Sequence, residues 1–125
     1  MRFMMLIKHP GDYDIGQVPP SLFEAMGPFI EEYTKNGMFV DGAGLKPLSH
    51  ATRVSLSGGK LSVVDGPFSE AKEVVGGYSL IEAASHAEAV ALATKFMELH
   101  RVHWPAFEGT SEIRPIEDGG APAPA

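Results

Sequence analysis

The stretch DGPFSEAKE, residues 65–73, lies between two apolar runs that are typical of strands, residues 61–64 and 78–81. It contains the densest polar chemistry in the chain: a carboxylate, a Gly-Pro pair, an aromatic ring and a Glu/Lys/Glu cluster. Glycine before proline avoids helical backbone and takes extended or positive-φ conformations. The pair therefore predicts a bend between two strands, which directs Phe68 inward.

Upstream, the sequence predicts a strand followed by a helix. Residues 2–8 are almost all apolar, which is typical of a strand that is buried on both faces. A capping box from Ser21 to Glu24 predicts the start of the helix, and apolar residues recur beyond it at spacings of three and four. Pro28 has no amide hydrogen to donate, so we expect the helix to kink or to begin there.

Strands dominate the middle of the chain. Gly58 and Gly59 separate two alternating runs, residues 53–57 and 60–63, which predicts a β-hairpin with a two-residue turn. A second capping box begins at Ser85 and predicts another helix. The remaining strands and this helix are expected at residues 38–40, 77–83, 85–100 and 110–116.

This order of elements predicts the α+β class, with a ferredoxin-like antiparallel sheet, two helices on one face and an inserted β-hairpin. Residues 1–117 are expected to form one domain, and the Gly/Pro/Ala tail at residues 118–125 to be disordered. Two helices cover only one face of such a sheet. The other face is then expected to be buried in a homodimer, sheet against sheet. The apolar residues assigned to it include Met4, Phe39, Val64 and Ile81.

Composition narrows the classes of function. The chain has 125 residues and a net charge of −6, and its 10 basic residues are scattered with no two adjacent, so no nucleic-acid surface is expected. The absence of cysteine excludes disulfides, thiolate nucleophiles and cysteine-ligated metal sites. No run approaches the roughly 20 apolar residues of a membrane span. We expect a cytoplasmic protein without membrane contact and, since no nucleotide-binding or hydrolase motif is found, without a cofactor.

The signature at residues 65–68, with Glu70, Lys72, Glu73 and the Gly-Tyr pair at 77–78, resembles the YCII-related family in the branch often called the DGPF domain. MMLIK at residues 4–8, HWP at 103–105 and EIRP at 112–115 extend the resemblance to about residues 1–117. The resemblance implies a subunit of the dimeric α+β barrel type, usually a homodimer, without an established activity. Some members are linked to sigma factors of the extracytoplasmic-function type.

A related branch of the family has a His–Asp pair that is proposed to be catalytic, with the histidine on the first helix. This chain has no histidine between Val18 and Gly37. That pair therefore cannot be transferred to this sequence.

Asp65, Lys72 and His103 are the residues to which the sequence assigns catalysis. Asp65 ends a predicted strand, where a carboxylate serves either as a general base or as the acceptor that holds a turn. Lys72 is either an acid–base or anion-binding group or part of a solvated ion pair. His103 is a candidate for proton transfer. The spacing of His100 and His103 would let them share a metal ion. Spacing is only one of several requirements of a metal site, so no metal site is assigned.

Ligand binding is assigned to four further residues. Phe68 is either a pocket wall or an ordinary core ring, and Tyr78 is either a hydrogen-bond donor to a ligand or an ordinary strand aromatic. Glu73 is either a second carboxylate that faces one cleft with Asp65 or part of a solvated ion-pair set. His9, at the end of the first strand, is a further candidate for proton transfer. The resulting hypothesis is a protein that binds a small molecule in a cleft between sheet and loops, with cofactor-independent acid–base chemistry. The alternative is a non-catalytic dimeric interaction module linked to transcription regulation.

Overall fold

The computed structural model describes residues 1–11 and 15–117. The predicted disorder of residues 118–125 falls outside the described residues. The strands are β1 (Arg2–His9), β2 (Phe39–Gly44), β3 (Thr52–Ser57), β4 (Lys60–Asp65), β5 (Val74–Glu82) and β6 (Thr110–Pro115). The helices are α1 (Pro20–Lys35) and α2 (His86–His103), with short 3-10 turns at Ile15–Gln17 and Leu48–His50.

Four strands form the main sheet in the order β2-β5-β1-β6, and every neighbouring pair is antiparallel. Because β1 and β2 are both antiparallel to β5, they run parallel to each other and enclose α1 in a split βαβ unit. This is consistent with a ferredoxin-like arrangement. The prediction of an α+β fold with two helices and antiparallel sheets is confirmed.

Both helices pack on the same face of this sheet. Phe3 and Met5 project from β1 on that face and are buried. Phe3 clusters with Tyr33 of α1 and Leu92 of α2, and Met5 clusters with Phe96 of α2. The core of the protein is therefore the layer between the main sheet and the helix pair.

The assignment of residues to the open face is wrong for three of the four. Ile81 is fully buried, since it pairs with Phe3 across β1 and β5 and faces the helices. Phe39 packs against the same core cluster. Val64 belongs to β4, outside the main sheet. Met4 alone lies on the open face, because side chains alternate along β1. A shift of one residue exchanges the faces, and the pattern of continuous apolar runs does not specify which register is adopted.

The start of α1 differs from the prediction. Its N-cap is Pro19, without a side-chain hydrogen bond, and Ser21 Oγ donates instead to His103 O at 3.4 Å. Pro20 suits the first helical position, because its φ is preset and its missing amide hydrogen is not needed there. The helix is continuous through Pro28, so the predicted later start is wrong. The cap of α2 is confirmed, with Ser85 Oγ accepting from the Glu88 amide at 3.1 Å.

β3 and β4 pair with each other in a separate two-stranded sheet, here called the arm (residues 52–65). Gly58 and Gly59 connect the strands with φ values of 56° and 78°. Positive φ at both central residues is what a two-residue type I′ turn requires. All residues of both strands are exposed, so the arm stands apart from the core. No helix among the described residues is long and apolar enough to cross a membrane.

Candidate functional site

The DGPF signature forms the base of the arm. Asp65 Oδ1 accepts a hydrogen bond from Thr52 Oγ1 at 2.8 Å, and the Gly66 amide donates to Ala51 O at 2.8 Å. The peptide bond before Pro67 is cis. Asp65 therefore links the ends of β3 and β4 through Thr52, whereas the turn-holding role considered above stays a prediction. Its catalytic role stays a prediction.

Phe68 is buried beneath the arm. The guanidinium of Arg53 lies 3.7 Å from the centre of its ring, and Arg53 Nη1 donates to Glu70 Oε1 at 2.7 Å. A hydrogen bond from its own backbone amide, together with the Arg53 guanidinium, lowers the pKa of Glu70. Phe68 therefore connects the signature to β3 by packing.

A small cleft of about 260 Å³ collects other predicted residues. It lies where β1 ends and β6 begins, and Lys72, Glu73 and His9 all line it. Lys8 Nζ is 3.1 Å from Glu112 Oε1 and 3.6 Å from Glu73 Oε1, and these carboxylates raise the pKa of Lys8. The positive charge of Lys8 and the negative charges of Glu73 and Glu112 thus partly neutralise each other at this end of the sheet.

A second, larger cavity of about 690 Å³ lies between the two helices and the main sheet. It is bordered at the surface by the rim loop (residues 45–51), which contributes Lys46 and His50. Both of these side chains are exposed. The walls are apolar and include Leu22, Met26, Phe29, Leu92 and Phe96.

The sheet leaves this space open because its floor has small residues in register. Three glycines and a serine occupy helix-facing positions on two neighbouring strands, so side chains are absent or short across the floor. The register aligns them in two rows across β1, β5 and β2, namely Met5–Ser79–Gly42 and Ile7–Gly77–Gly44. These short residues help to leave the space above the floor open. At Gly42 and Gly77 glycine is also favoured by close approach, since a Cβ would lie 2.8 Å from Tyr78 O and 3.1 Å from Ala43 O.

His100 is the buried ionisable group that faces the cavity. Its side chain is 7% exposed, and Nδ1–H donates to Phe96 O at 3.0 Å. The ring packs between Phe96 and Phe107, with centroids 4.9 and 4.8 Å away. Burial lowers the pKa of His100, while the hydrogen bond to Phe96 O acts in the opposite direction. A neutral imidazole with its proton on Nδ1 presents Nε2 as an acceptor.

The two cavities do not bring the predicted catalytic residues together. Asp65 and His103 line neither of them, and Lys72 lines only the small cleft. His103 lies at the end of α2. Tyr78 borders the large cavity, but its neighbours Gly77 and Ser79 face the helices, so strand alternation directs the phenol to the open face.

The sequence prediction missed His100 as a cavity residue. The signal was its spacing, since it continues the buried series Ala89, Ala93 and Phe96 along α2. A histidine on such a face is buried, and a buried polar group needs a partner. The described residues contain no cluster of three or more His, Asp or Glu side chains that would hold a metal ion.

We expect His100 to make the protein less stable at acid pH. Its pKa is lower in the folded chain than the ordinary value of 6.5, so below pH 6.5 the unfolded chain binds the proton more readily. The stability contributed by neutral His100 is present above pH 6.5 and is lost as the pH falls towards the lowered pKa. Urea unfolding at about pH 7.5 and pH 5.5 should show a smaller loss in His100→Phe than in the wild type.

The matched control for this measurement is His86→Phe, which replaces an exposed histidine at the other end of α2. It should retain the loss seen in the wild type. An equal loss in His100→Phe and the wild type would contradict the assignment.

Comparison with known proteins places the chain in a family. The YCII-related domain matches residues 1–99, which include the signature and the cavity floor and end one residue before His100. An uncharacterized protein of Rhizobium meliloti (strain 1021) is 34% identical over 85 residues, covering 68% of this chain and 64% of that protein. The match therefore spans less than two thirds of the length of that relative. The extent of the domain match shows that this chain belongs to the YCII-related family.

Proposed function

We propose that this protein binds a small, largely apolar molecule in the cavity between its helices and its main sheet. The observation that supports the proposal is the glycine- and serine-lined floor beneath about 690 Å³ of space. Ligand pockets typically measure about 300–1,000 Å³ and have mostly apolar walls with a few polar groups. An empty apolar cavity destabilises a fold by about 24 cal/mol per Å³. A chain without a ligand would gain stability from a larger residue where the floor has room, as at Gly44.

His100 supports the further proposal of cofactor-independent acid–base chemistry in this cavity. A neutral imidazole with a free acceptor nitrogen is the usual form of a general base. The geometry favours His100 for this role over Asp65, Lys72 and His103, for which catalysis stays a prediction. Phe68, Glu73, Tyr78 and His9 stay predictions as ligand contacts, outside the cavity wall or at its margin.

A thermal-shift screen of a chemically diverse small-molecule set tests the binding proposal. A ligand that binds the folded chain only stabilises it by about 2.7 kcal/mol at a hundredfold excess over its dissociation constant. We expect hits that are mostly apolar and that compete with one another for one site. A broad screen without a single competing pair of hits would refute the proposal.

We also propose that the chain is a homodimer of the dimeric α+β barrel type and belongs to the DGPF branch, as its signature suggests. One face of the arm supports the dimer, since Val54, Leu56, Leu61 and Val63 are 68–74% exposed. Register places them together, as Val54 pairs with Val63 and Leu56 with Leu61. An isolated two-stranded sheet is marginally stable in water, so a second copy that covers this face would stabilise it.

Light scattering on size-fractionated protein tests the assembly. The measured mass of the wild type should be twice that of one chain. In the double variant Leu56→Ser with Leu61→Ser, the measured mass should shift towards that of the monomer. Ser55→Ala with Ser62→Ala, on the opposite face of the arm, is the control and should stay dimeric. A monomeric wild type would refute the dimer. A dimeric wild type without ligand hits would favour the alternative function, a non-catalytic dimeric interaction module.

A further inference from the structure

Two largely buried polar side chains, Ser79 and His100, line the large cavity. Ser79 is 9% exposed, and no described side chain or backbone group bonds its hydroxyl. His100 uses Nδ1–H for Phe96 O, and among residues 1–11 and 15–117 nothing bonds its Nε2. Among the described residues, Ser111 Oγ is the side-chain polar atom that is fully buried without a hydrogen bond, so Ser79 Oγ and His100 Nε2 are within reach of the cavity space. Both atoms are therefore available to the polar end of a ligand.

Nε2 of His100 specifies what that ligand must carry. The carbonyl of Phe96 can only accept, so Nδ1 holds the proton and Nε2 is an acceptor. An ether or ketone oxygen cannot pair with it, since neither has a hydrogen to donate. A hydroxyl group can donate to Nε2.

The charge of the lining argues for a neutral ligand. Among the described lining residues, Lys46 alone carries a full charge at neutral pH, and it is exposed on the rim loop. Within residues 1–11 and 15–117, no carboxylate or guanidinium lines this cavity. An ionised group placed beside His100 would lose its hydration without gaining a counter-ion, which is costly.

Aromatic rings follow one another along the helix side of the cavity as far as His100, and the series continues beyond it to Phe107. Tyr33 and Phe29 have centroids 4.7 Å apart, Phe29 and Phe96 are 5.9 Å apart, and Phe96 and His100 are 4.9 Å apart. Tilted and edge-to-face contacts at such distances add to the stabilisation from burial. A flat aromatic ligand could pack against these rings. One end of that ligand would then lie beside His100.

From these contacts we infer that the ligand is a neutral aromatic compound with a hydroxyl group that donates to Nε2 of His100. The inference rests on the proposed binding function and adds the chemical class of the ligand. The hydroxyl of Ser79 offers a second polar contact from the floor.

Three matched probes test the ligand class by calorimetry at neutral pH: para-propylphenol, para-propylanisole and para-propylbenzoate. The phenol donates a hydrogen bond, the anisole carries a methyl group on the same oxygen and so has no donor, and the benzoate is charged. We expect the phenol to bind about tenfold more tightly than the anisole, as one buried hydrogen bond implies, and the benzoate to bind most weakly.

His100→Phe keeps a ring at this position and removes the acceptor. In this variant the phenol should bind no more tightly than the anisole, and in the control His86→Phe the tenfold preference should persist. If His100→Phe does not fold, NMR of the wild type provides the test. The nitrogen resonance of His100 Nε2 should shift when the phenol is added and should not shift with the anisole.

The outcomes separate the two proposals. Equal affinities for phenol and anisole in the wild type would overturn the ligand class and leave the binding function intact. Tightest binding of the benzoate would also overturn it, and would point to Lys46 as the polar contact. Failure of all three probes, together with a screen without hits, would overturn both.

Discussion

Replacing Gly66 by alanine is expected to destabilise the protein by about 3 kcal/mol, the upper end of what overpacking costs. A Cβ built at this position lies 1.9 Å from Leu48 O and 3.3 Å from Ala51 O. Both neighbours are backbone atoms, which cannot rotate away as a flexible side chain would. The substitution must therefore displace the rim loop or break the hydrogen bond from the Gly66 amide to Ala51 O. Urea unfolding of the two proteins measures the difference.

Gly27→Ala is the matched control for this prediction. Gly27 lies inside α1, and a Cβ there meets nothing within 4 Å outside its own helix and chain neighbours. The higher helix propensity of alanine and the steric cost of a Cβ before Pro28 act in opposite directions, so this variant should stay within about 1 kcal/mol of the wild type. If Gly66→Ala were as stable as Gly27→Ala, the close packing of the signature against Leu48 would be refuted.

The same substitution connects the signature to the cavity. Gly66 contacts the backbone of the rim loop, and that loop supplies Lys46 and His50 to the cavity border. A displaced rim loop widens the opening and exposes a ligand to water. We therefore infer that the signature holds the rim loop in position at the cavity opening. Ligand affinity should fall in Gly66→Ala even under conditions in which the variant is folded.

Ser79→Leu is expected to stabilise the fold and to weaken ligand binding. The side chain of Ser79 faces the cavity between Met5 and Gly42, so leucine extends into empty space. Filling part of an apolar cavity should raise the free energy of unfolding by about 1 kcal/mol. Forcing a ligand into the occupied space costs up to about 3 kcal/mol, so its affinity should fall by about a hundredfold. Thermal unfolding and calorimetry with any hit from the screen measure the two effects.

Ser55→Leu provides the comparison, because it makes the same change on an exposed strand of the arm. It should alter ligand affinity less than twofold. A Ser79→Leu protein that still binds the hit with unchanged affinity would place the ligand outside the cavity between the helices and the sheet.

Patterns that depend on neighbours along the chain were predicted correctly from the sequence. The alternating runs around Gly58 and Gly59 predicted paired strands, and Ser85 caps α2 as its motif indicated. The bend at Gly66 and the inward position of Phe68 also agree with the contacts observed. The start of α1 was placed wrongly, because the capping pattern at Ser21 competed with the preference of proline for the first helical position.

The sequence alone determined the order of elements, the α+β class and the family signature, because each depends on periodicity, turn residues or a contiguous motif. Only the tertiary structure decided which residues face the helices and where a ligand fits. Gly42 and Gly44 on β2 become a cavity floor only when the register of β5 places Gly77 and Ser79 beside them. His100 becomes its polar group only when α2 packs over that floor. Strand register and helix packing are set by contacts between distant segments, which a local pattern does not encode.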